Sequence, residues 1–348
     1  MAWTLAGIRR SNQPALNLAL QGGGAHGAFT WGVLDALLEA DRFSFPGISG
    51  SSAGAINAAV FAHGWLHGGP DGARAALDRF WTALGSHIPF EWFTTGAGDD
   101  LAFNPLARMM LRFTQWFSPN ELNPLGHNPL RQLLSQQIDF DALRAGGGPR
   151  LAIAATHVNS GRLKVFGSES LNVEVLLASA CLPTLHHAVV IDGEPYWDGG
   201  YSANPALMPL LADRRCAADT LLVLLAPRRY AHTPRSAAQI GERAMDIAFQ
   251  APFLRELQIL DELKSSTGRR WLPRTGIDRR IAQARWHLID GAPVLAALRA
   301  ETRLIAHGPF LLHLRDAGRA ALQTWLREDA AQVGHRSSVQ LGALAQGA

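Results

Sequence analysis

Cysteine, charge and long apolar runs are all scarce in this chain of 348 residues. Its two cysteines, Cys181 and Cys216, cannot build a disulfide framework or a cysteine-rich zinc site. A net charge of +3 is too small to indicate a partner nucleic acid. The longest charge-free segment, between Arg42 and Asp71, is interrupted by Gly, Ser and Pro, so it does not predict a membrane-spanning helix. The N-terminal segment lacks the apolar core of a signal peptide, and we expect a globular, cytoplasmic protein.

Short apolar runs alternate with helical patterns along the chain. Runs at 15–20 and 43–49 predict buried strands, and residues with helical spacing follow each of them. This order is typical of a parallel sheet with crossover helices. Further strands are predicted at 151–158, 163–166 and 220–227, and further helices at about 236–265 and 309–327. We therefore expect an α/β fold of three α/β/α layers, with a mostly parallel central sheet and a helical C-terminal elaboration.

The same patterns suggest how the chain is divided. Residues 1–14 form an N-terminal arm, and residues 15–227 form one α/β domain. Residues 228–348 form a mainly helical extension that we expect to pack on the same domain.

A glycine-rich loop follows the first predicted strand. Gly22, Gly24 and Gly27 satisfy G-x-G-x-x-G at a strand-to-helix junction, where free backbone N–H groups face any anion. A nucleotide site would also need an acidic residue at the end of the second strand. None stands there, which disfavours a nucleotide-binding function.

The second predicted strand runs instead into Gly50, Ser52 and Gly54, which form a G-x-S-x-G pentapeptide. Small neighbours tolerate the strained turn that exposes a nucleophilic serine. Neighbouring parallel strands end at the same edge of a sheet, so the glycine loop can supply an oxyanion hole beside this serine.

A nucleophilic serine needs a base, and two Asp-Gly pairs are acidic candidates. Asp192-Gly193 lies between two apolar runs and predicts a hairpin turn. Asp198 follows the second of those runs and is the better candidate for the chemistry. Five downstream histidines offer an alternative base, although none has a distinctive sequence context: His232, His287, His307, His313 and His335.

Together these motifs resemble the patatin-like phospholipase family over roughly residues 15–227. The matching segments are 22–27, 50–54 and 198–200. The resemblance implies that Ser52 is the nucleophile, that Asp198 is its general base, and that the N–H groups of Gly23 and Gly24 form the oxyanion hole. The motif-supporting residues are then Gly22, Gly27, Gly50, Gly54, Gly199 and Gly200.

The resemblance also implies hydrolysis of a lipid or phospholipid acyl ester through an acyl-enzyme, which needs no metal or organic cofactor. His26 departs from the family pattern, because an Arg or Lys is usual at its position. A fixed positive charge that attracts headgroups or anchors the loop is then absent. The thirteen histidines show no metal-ligand spacing, and we expect no metal site.

Peripheral membrane contact is a further expectation. A helix from Pro105 would gather apolar side chains on one face, where they form a wall of an acyl-chain pocket, an interfacial cap or an ordinary core face. A basic cluster later in the chain either touches anionic headgroups or is a solvated loop face. The apolar set is Leu106, Met109, Met110, Phe113, Trp116 and Phe117, and the basic set is Lys264, Arg269, Arg270, Arg274, Arg279, Arg280 and Arg285.

Two other functions stay open at this point. A Ser-His-Asp esterase of the α/β-hydrolase type would use one of the five histidines, although its elbow usually lies farther into the chain. A non-catalytic nucleotide-binding or membrane-associated scaffold would need neither Ser52 nor Asp198, and their joint presence disfavours it.

Overall fold

A computed structural model describes residues 13–346, apart from residues 88, 115, 231 and 268–275. Most of the expected N-terminal arm, and Arg269, Arg270 and Arg274 of the basic cluster, therefore lie outside the described residues. The central sheet is mixed and mostly parallel, in the order β10-β9-β1-β2-β5-β8-β7, with β6 paired to β5. Its strands are β1 (Leu16–Leu20), β2 (Gly47–Gly50), β5 (Arg150–His157), β6 (Leu163–Gly167), β7 (Val189–Ile191), β8 (Glu194–Asp198), β9 (Asp219–Leu224) and β10 (Arg285–Asp290). A separate small hairpin consists of β3 (Thr94–Thr95) and β4 (Ala102–Phe103).

Helices cover both faces of the sheet, which confirms the predicted three-layer α/β class. Alternate residues of β1 enter different cores, since Leu18 packs in one apolar cluster and Ala19 in the other. The described helices are α1 (Gly27–Ala40), α2 (Ala53–His87), α3 (Pro105–Thr114), α4 (Pro119–Leu122), α5 (Pro129–Gln137), α6 (Phe140–Ala145), α7 (Val173–Ser179), α8 (Met208–Ala212), α9 (Ala237–Thr267), α10 (Gly276–Gln283), α11 (Ala292–Leu295), α12 (Gly308–Glu328) and α13 (Leu341–Gln346). None of these described helices has the length and apolarity to cross a membrane.

Two local expectations have different outcomes. Asp192 and Gly193 both have positive φ and connect the antiparallel β7 and β8, which confirms the hairpin turn. Asn204 and Pro205 also predict a helix start, with Asn204 as the N-cap, but this prediction is wrong, because α8 begins only at Met208. The Asn204 side chain instead accepts a hydrogen bond from the glycine loop.

Strand β10 extends the sheet within a region that was expected to be helical. Its sequence carries Arg285, His287 and Asp290, so the apolar pattern of a buried strand is absent. The buried carboxylate of Asp219 on β9 pairs with two of these polar side chains. It accepts hydrogen bonds from Arg285, from the fully buried His287 (3.0 Å) and from the Gly334 N–H (3.0 Å).

These bonds also set the ionisation of Asp219. Burial alone raises the pKa of the carboxyl, but the bonds from His287, Arg285 and Gly334 outweigh burial and lower the pKa to about 2. The ionised carboxylate therefore stabilises the fold above about pH 4, and this contribution is lost as the pH falls towards 2.

We predict that Asp219→Asn lowers the free energy of unfolding by about 3 kcal/mol at neutral pH, because it leaves Arg285 without its buried partner. Asp213→Asn is the matched control, since Asp213 pairs with arginines at a more exposed site and its pKa is also lowered to about 2. We expect this control to lose less than about 1 kcal/mol in urea denaturation. Equal losses for both variants would contradict the role given to the Asp219 network.

Candidate active site

The strand register brings the predicted serine and aspartate to one level of the sheet. β1 and β2 are adjacent and parallel, and Leu20 at the end of β1 is paired with Gly50 at the end of β2. On the other side of β2, Gly50 is level with Ile153 of β5. Two residues farther along β5, Ala155 is paired with Asp198. Ser52 stands two residues beyond Gly50, so the register places it at the level of Asp198.

Ser52 occupies a strained turn between β2 and α2. Its φ is 54°, a left-handed value that is unusual for a residue other than glycine, and α2 begins at the next residue. The Ser52 N–H donates to the Ser179 hydroxyl (3.0 Å), which holds the turn. Ser51 points elsewhere, because its buried hydroxyl donates to the Ala203 carbonyl (2.5 Å). Ser52, which is half-buried, is therefore the side chain that this turn leaves for chemistry.

Asp198 is fully buried beside this serine. Its Oδ1 accepts from the Gly200 N–H (2.8 Å), whereas Oδ2 has no hydrogen-bond partner among the described residues. Burial raises the pKa of Asp198 to about 7, against the opposing effects of the Gly200 N–H and the Ser52 hydroxyl. The Ser52 hydroxyl is thus near enough to favour the ionised form of the carboxyl, although no hydrogen bond joins the two side chains. Oδ2 is left able to accept a proton from Ser52.

The glycine loop presents two backbone donors at the same edge. The Gly22 N–H is already used, because it donates to Asn204 Oδ1 (2.8 Å). For the N–H groups of Gly23 and Gly24 the described part of the chain offers no acceptor. Gly24 has φ of 60°, which favours glycine at this turn. Unpaired backbone donors of this kind are what an oxyanion hole requires.

The remaining motif glycines lie at close backbone contacts. A Cβ on Gly22 would lie 2.7 Å from Ser52 Cβ, and one on Gly27 would lie 2.7 Å from Ala53 Cβ. A Cβ on Gly50 would lie 2.5 Å from the backbone of Gly54. Likewise, Gly54 faces the Leu20 carbonyl, Gly199 the Ala154 carbonyl and Gly200 the Phe249 ring.

Three polar residues support the site without having been predicted. Asn204 binds the glycine loop, and Ser179 binds the nucleophile turn. Gln21, the last residue before the glycines, accepts from the N–H groups of Leu225 and Ala226 and so fixes the end of β1 against the end of β9. Of the three, Gln21 could have been recognised from the sequence, because a polar side chain directly after a buried strand needs a hydrogen-bond partner.

His26 is buried and uncharged. Burial, together with the nearby charge of Arg303, lowers its pKa to about 3. Its Nε2 lies 2.7 Å from the Thr302 hydroxyl, so this residue ties the glycine loop to the C-terminal region. The expected loss of a fixed charge at this position is consistent with its burial.

None of the five downstream histidines, all of them described, has a recorded hydrogen bond or ion pair with Ser52 or Asp198. His287 is bonded to Asp219 across β9 and β10, three strands from β2. His313 pairs with Asp99, while His232 and His335 are exposed. His307 precedes α12 and has no described side-chain bond. The geometry therefore favours Asp198 over a histidine as the base.

The predicted apolar helix is exposed. α3 ends at Thr114, earlier than expected, and each of its residues with a described side chain is exposed or half-buried. The expectation of an ordinary core helix is therefore wrong. A set of exposed large hydrophobic side chains, which we call the apolar surface, includes α3 residues and their neighbours. Trp116 is 86% exposed and Trp92 is 77% exposed. The apolar surface consists of Trp92, Leu106, Met109, Met110, Phe113, Trp116 and Phe117.

Three of the four described members of the basic cluster are held by hydrogen bonds within the protein, while Arg279 is exposed. Arg285 binds Asp219, Arg280 donates to the carbonyls of Leu211 and Cys216, and Lys264 donates to the carbonyl of Ala284. These residues hold α9, α10 and the sheet together, so the described part of the cluster favours a structural role. The described residues contain no group of three or more His, Cys, Asp or Glu that could hold a metal ion.

Comparison with known proteins shows which family this chain belongs to and which solved structures it is similar to. A family model described as patatin-like phospholipase matches residues 18–211. One similar solved structure is VipD from Legionella pneumophila, at 14% identity and a TM-score of 0.36, covering 87% of this chain and 67% of that one. Another is the ExoU–SpcU complex of the Pseudomonas aeruginosa type III secretion system, at 17% identity and a TM-score of 0.34. That match covers 90% of this chain but 52% of the other, so this chain spans about half its length. No curated protein sequence matches significantly.

We predict that the reactivity of Ser52 depends on pH with a midpoint near 7. Asp198 must be ionised to accept the serine proton, and burial raises its pKa to about 7, so reactivity is present above this pH and lost below it. The measurement is the rate at which a fluorophosphonate labels Ser52 between pH 5 and 9, with Ser52→Ala as the blank. A midpoint near 4 would show that the carboxyl has an ordinary environment.

Proposed function

Because this chain belongs to the patatin-like phospholipase family, we propose that it hydrolyses acyl esters of lipids or phospholipids with Ser52 as nucleophile and Asp198 as base. The observation that carries the proposal is the buried Asp198 carboxyl beside the strained Ser52 turn, with Oδ2 unpartnered. An unpaired buried acceptor is costly for stability, which indicates that it serves chemistry.

The reaction follows from this geometry in two halves. Ser52 Oγ attacks the ester carbonyl carbon while Asp198 Oδ2 takes the hydroxyl proton. The N–H groups of Gly23 and Gly24 hold the negative charge that develops on the carbonyl oxygen. The tetrahedral intermediate then collapses and the bond between the carbonyl carbon and the alcohol oxygen breaks. The alcohol portion of the lipid leaves with the proton from Asp198, and the acyl group stays on Ser52.

Water completes the cycle. Asp198 is ionised again and takes a proton from the attacking water, whose oxygen bonds to the acyl carbon. The second intermediate expels Ser52 Oγ, which recovers its proton from Asp198. A carboxyl whose pKa is about 7 suits both transfers, because it is a stronger base than an exposed aspartate and still releases the proton readily near neutral pH.

The apolar surface supports a lipid rather than a small soluble ester as the substrate. Monomeric proteins rarely expose so many large apolar side chains together. Its two tryptophans and the α3 side chains have the composition of a face that enters the boundary between headgroups and acyl chains. We therefore propose peripheral contact with a lipid surface through this face.

We predict that Asp198→Asn lowers turnover of a p-nitrophenyl ester by about 10⁴-fold, or about 5.5 kcal/mol of barrier, because the amide preserves shape but cannot take the proton. Alanine variants of His232, His287, His307, His313 and His335 serve as the comparison. They should retain most of the activity as long as they remain folded, which circular dichroism checks. A folded but inactive histidine variant, together with an active Asp198→Asn, would support the Ser-His-Asp esterase instead.

We predict that replacing Phe113 and Trp116 with Ser raises the KM for lipid vesicles at least about tenfold and leaves short-ester turnover nearly unchanged. The loss of two large apolar side chains from an interface is worth more than 1.4 kcal/mol. Ile259→Ser with Leu312→Ser is the matched control, since both residues are exposed and apolar but lie on α9 and α12. Equal effects on both substrates would argue against a lipid-facing role.

A further inference from the structure

A single short turn binds three separate parts of the protein, one of which is the glycine loop of the candidate active site. The 3-10 turn Ala300–Leu304 follows α11 and places three polar side chains in succession. Glu301 binds Arg108 on α3, Thr302 binds His26 in the glycine loop, and Arg303 binds Asp246 on α9.

The bond between Thr302 and His26 is buried and has a defined direction. Thr302 is fully buried, and its hydroxyl donates to the Arg299 carbonyl (2.7 Å). A hydroxyl has one proton, so it must accept from His26 Nε2 over the 2.7 Å that separates them. The neutral His26 is thereby held with its proton on Nε2, two residues after Gly24.

The backbone of the same turn closes on the glycine loop. A Cβ on Gly24 would collide with the Arg303 carbonyl and would lie 3.6 Å from Arg303 Cβ. The turn therefore packs directly against a residue that we assign to the oxyanion hole. Any shift of the turn must be followed by Gly24 or must open a gap beside it.

Glu301 attaches α3 to this turn. Its two carboxylate oxygens accept from Arg108 Nε (3.1 Å) and Nη2 (3.0 Å), and one also accepts from the Phe103 N–H (3.0 Å). Arg108 in turn donates to the Phe103 carbonyl (3.0 Å). Since no described side chain of α3 is buried, this two-pronged ion pair is the principal polar attachment of the helix to the body of the protein.

Arg303 completes the connection on the other side of the site. Its guanidinium binds Asp246 (2.6 Å), and the preceding residue on α9, Met245, accepts from the Tyr201 hydroxyl (3.4 Å). Tyr201 follows the Asp198-Gly199-Gly200 motif. The turn thus spans from the glycine loop to the helix that packs against Gly200 and Tyr201, directly after the aspartate.

We propose that Ala300–Leu304 is a positioning element that couples contact between α3 and a lipid surface to the geometry of the oxyanion-hole glycines. Thr302 and Glu301 act as positioning residues, because they hold His26 and Arg108 and have no described contact with Ser52 or Asp198. The inference rests on the proposed hydrolysis of lipid esters.

The coupling would operate by reducing the conformational freedom of α3 and, through the turn, of the glycine loop. The exposed side of α3 gains contacts only when a surface covers it, and these contacts restrict the motion of the helix. Because Arg108 of α3 is paired with Glu301, the turn is restricted as well. A loop that is already ordered loses less entropy when it binds the transition state, so a lipid surface that is not itself a substrate should accelerate the reaction.

The test uses a short soluble p-nitrophenyl ester, with and without vesicles of ether-linked phosphatidylcholine, which has no ester to hydrolyse. We expect vesicles to raise turnover of the unmodified protein at least about fivefold, the lower end of measured couplings between sites. Glu301→Gln and Arg108→Gln should each reduce this stimulation to near unity, at vesicle concentrations that saturate binding in a sedimentation assay. Arg74→Gln is the matched control, because Arg74 also pairs with carboxylates and is 31% exposed, against 33% for Arg108.

The possible outcomes separate the coupling from simpler explanations. Stimulation that survives in Glu301→Gln would overturn the proposal, as would a loss confined to Arg108→Gln, which would indicate headgroup attraction by that cation. Absence of stimulation in the unmodified protein would also overturn it. Absence of any ester turnover would instead refute the proposed function.

Thr302 supplies an independent measurement. Thr302→Val keeps the shape but removes the hydroxyl, and we expect kcat per fluorophosphonate-titrated Ser52 to fall roughly tenfold with KM unchanged, less than the loss of an oxyanion donor itself. Thr302→Ser restores the hydroxyl and should restore kcat. A variant that only lost folded protein would show fewer titrated sites and a normal kcat per site, which would count against a positioning role.

Discussion

The loops that follow β1 and β2 approach each other so closely that no side chain fits between them, and the site depends on this contact. Gly22 faces the Cβ of Ser52, Gly54 faces the carbonyl of Leu20, and Gly27 faces Ala53. The glycines therefore do more than permit turns. They allow the backbone of one loop to stand beside Ser52, the proposed nucleophile, in the other, and the hydrogen bonds of the sheet beneath set the separation. Packing, rather than any single bond, preorganises the site.

Asp198 shows how the same packing tunes reactivity. A buried carboxyl with one satisfied oxygen and one free oxygen is less stable as an anion than an exposed aspartate, and its basicity rises accordingly. Because this raised pKa lies in the range of imidazole, a pH profile alone does not separate an aspartate base from a histidine base. The position of the carboxyl, level with Ser52 across β5, is what distinguishes the two mechanisms.

The parts of the structure that could be predicted from sequence are those whose cause is local. Glycines at fixed spacing, apolar runs and the Asp192-Gly193 turn carry their own signals, and the patatin-like resemblance was confirmed by the family match. Asn204 and Thr302 could not be recognised, because a polar side chain does not reveal a partner nearly 200 or more residues away. The strand β10 was missed because its polar side chains Arg285 and His287 bind Asp219, which lies on another strand. The exposure of α3 could not be predicted either, because helical spacing shows that a helix has an apolar face but not whether the rest of the protein covers that face.

The contact between Thr302 and His26 has a consequence for the order in which the protein is made. Ser52, Asp198 and the four strands that align them, β1, β2, β5 and β8, have all been synthesised once residue 198 is added. The turn that braces the glycine loop arrives about a hundred residues later. During synthesis the chain thus passes through a long interval in which the reactive groups exist but the loop beside them lacks its brace. If the proposed hydrolysis is correct, full activity therefore has to wait until the last third of the sequence has been made.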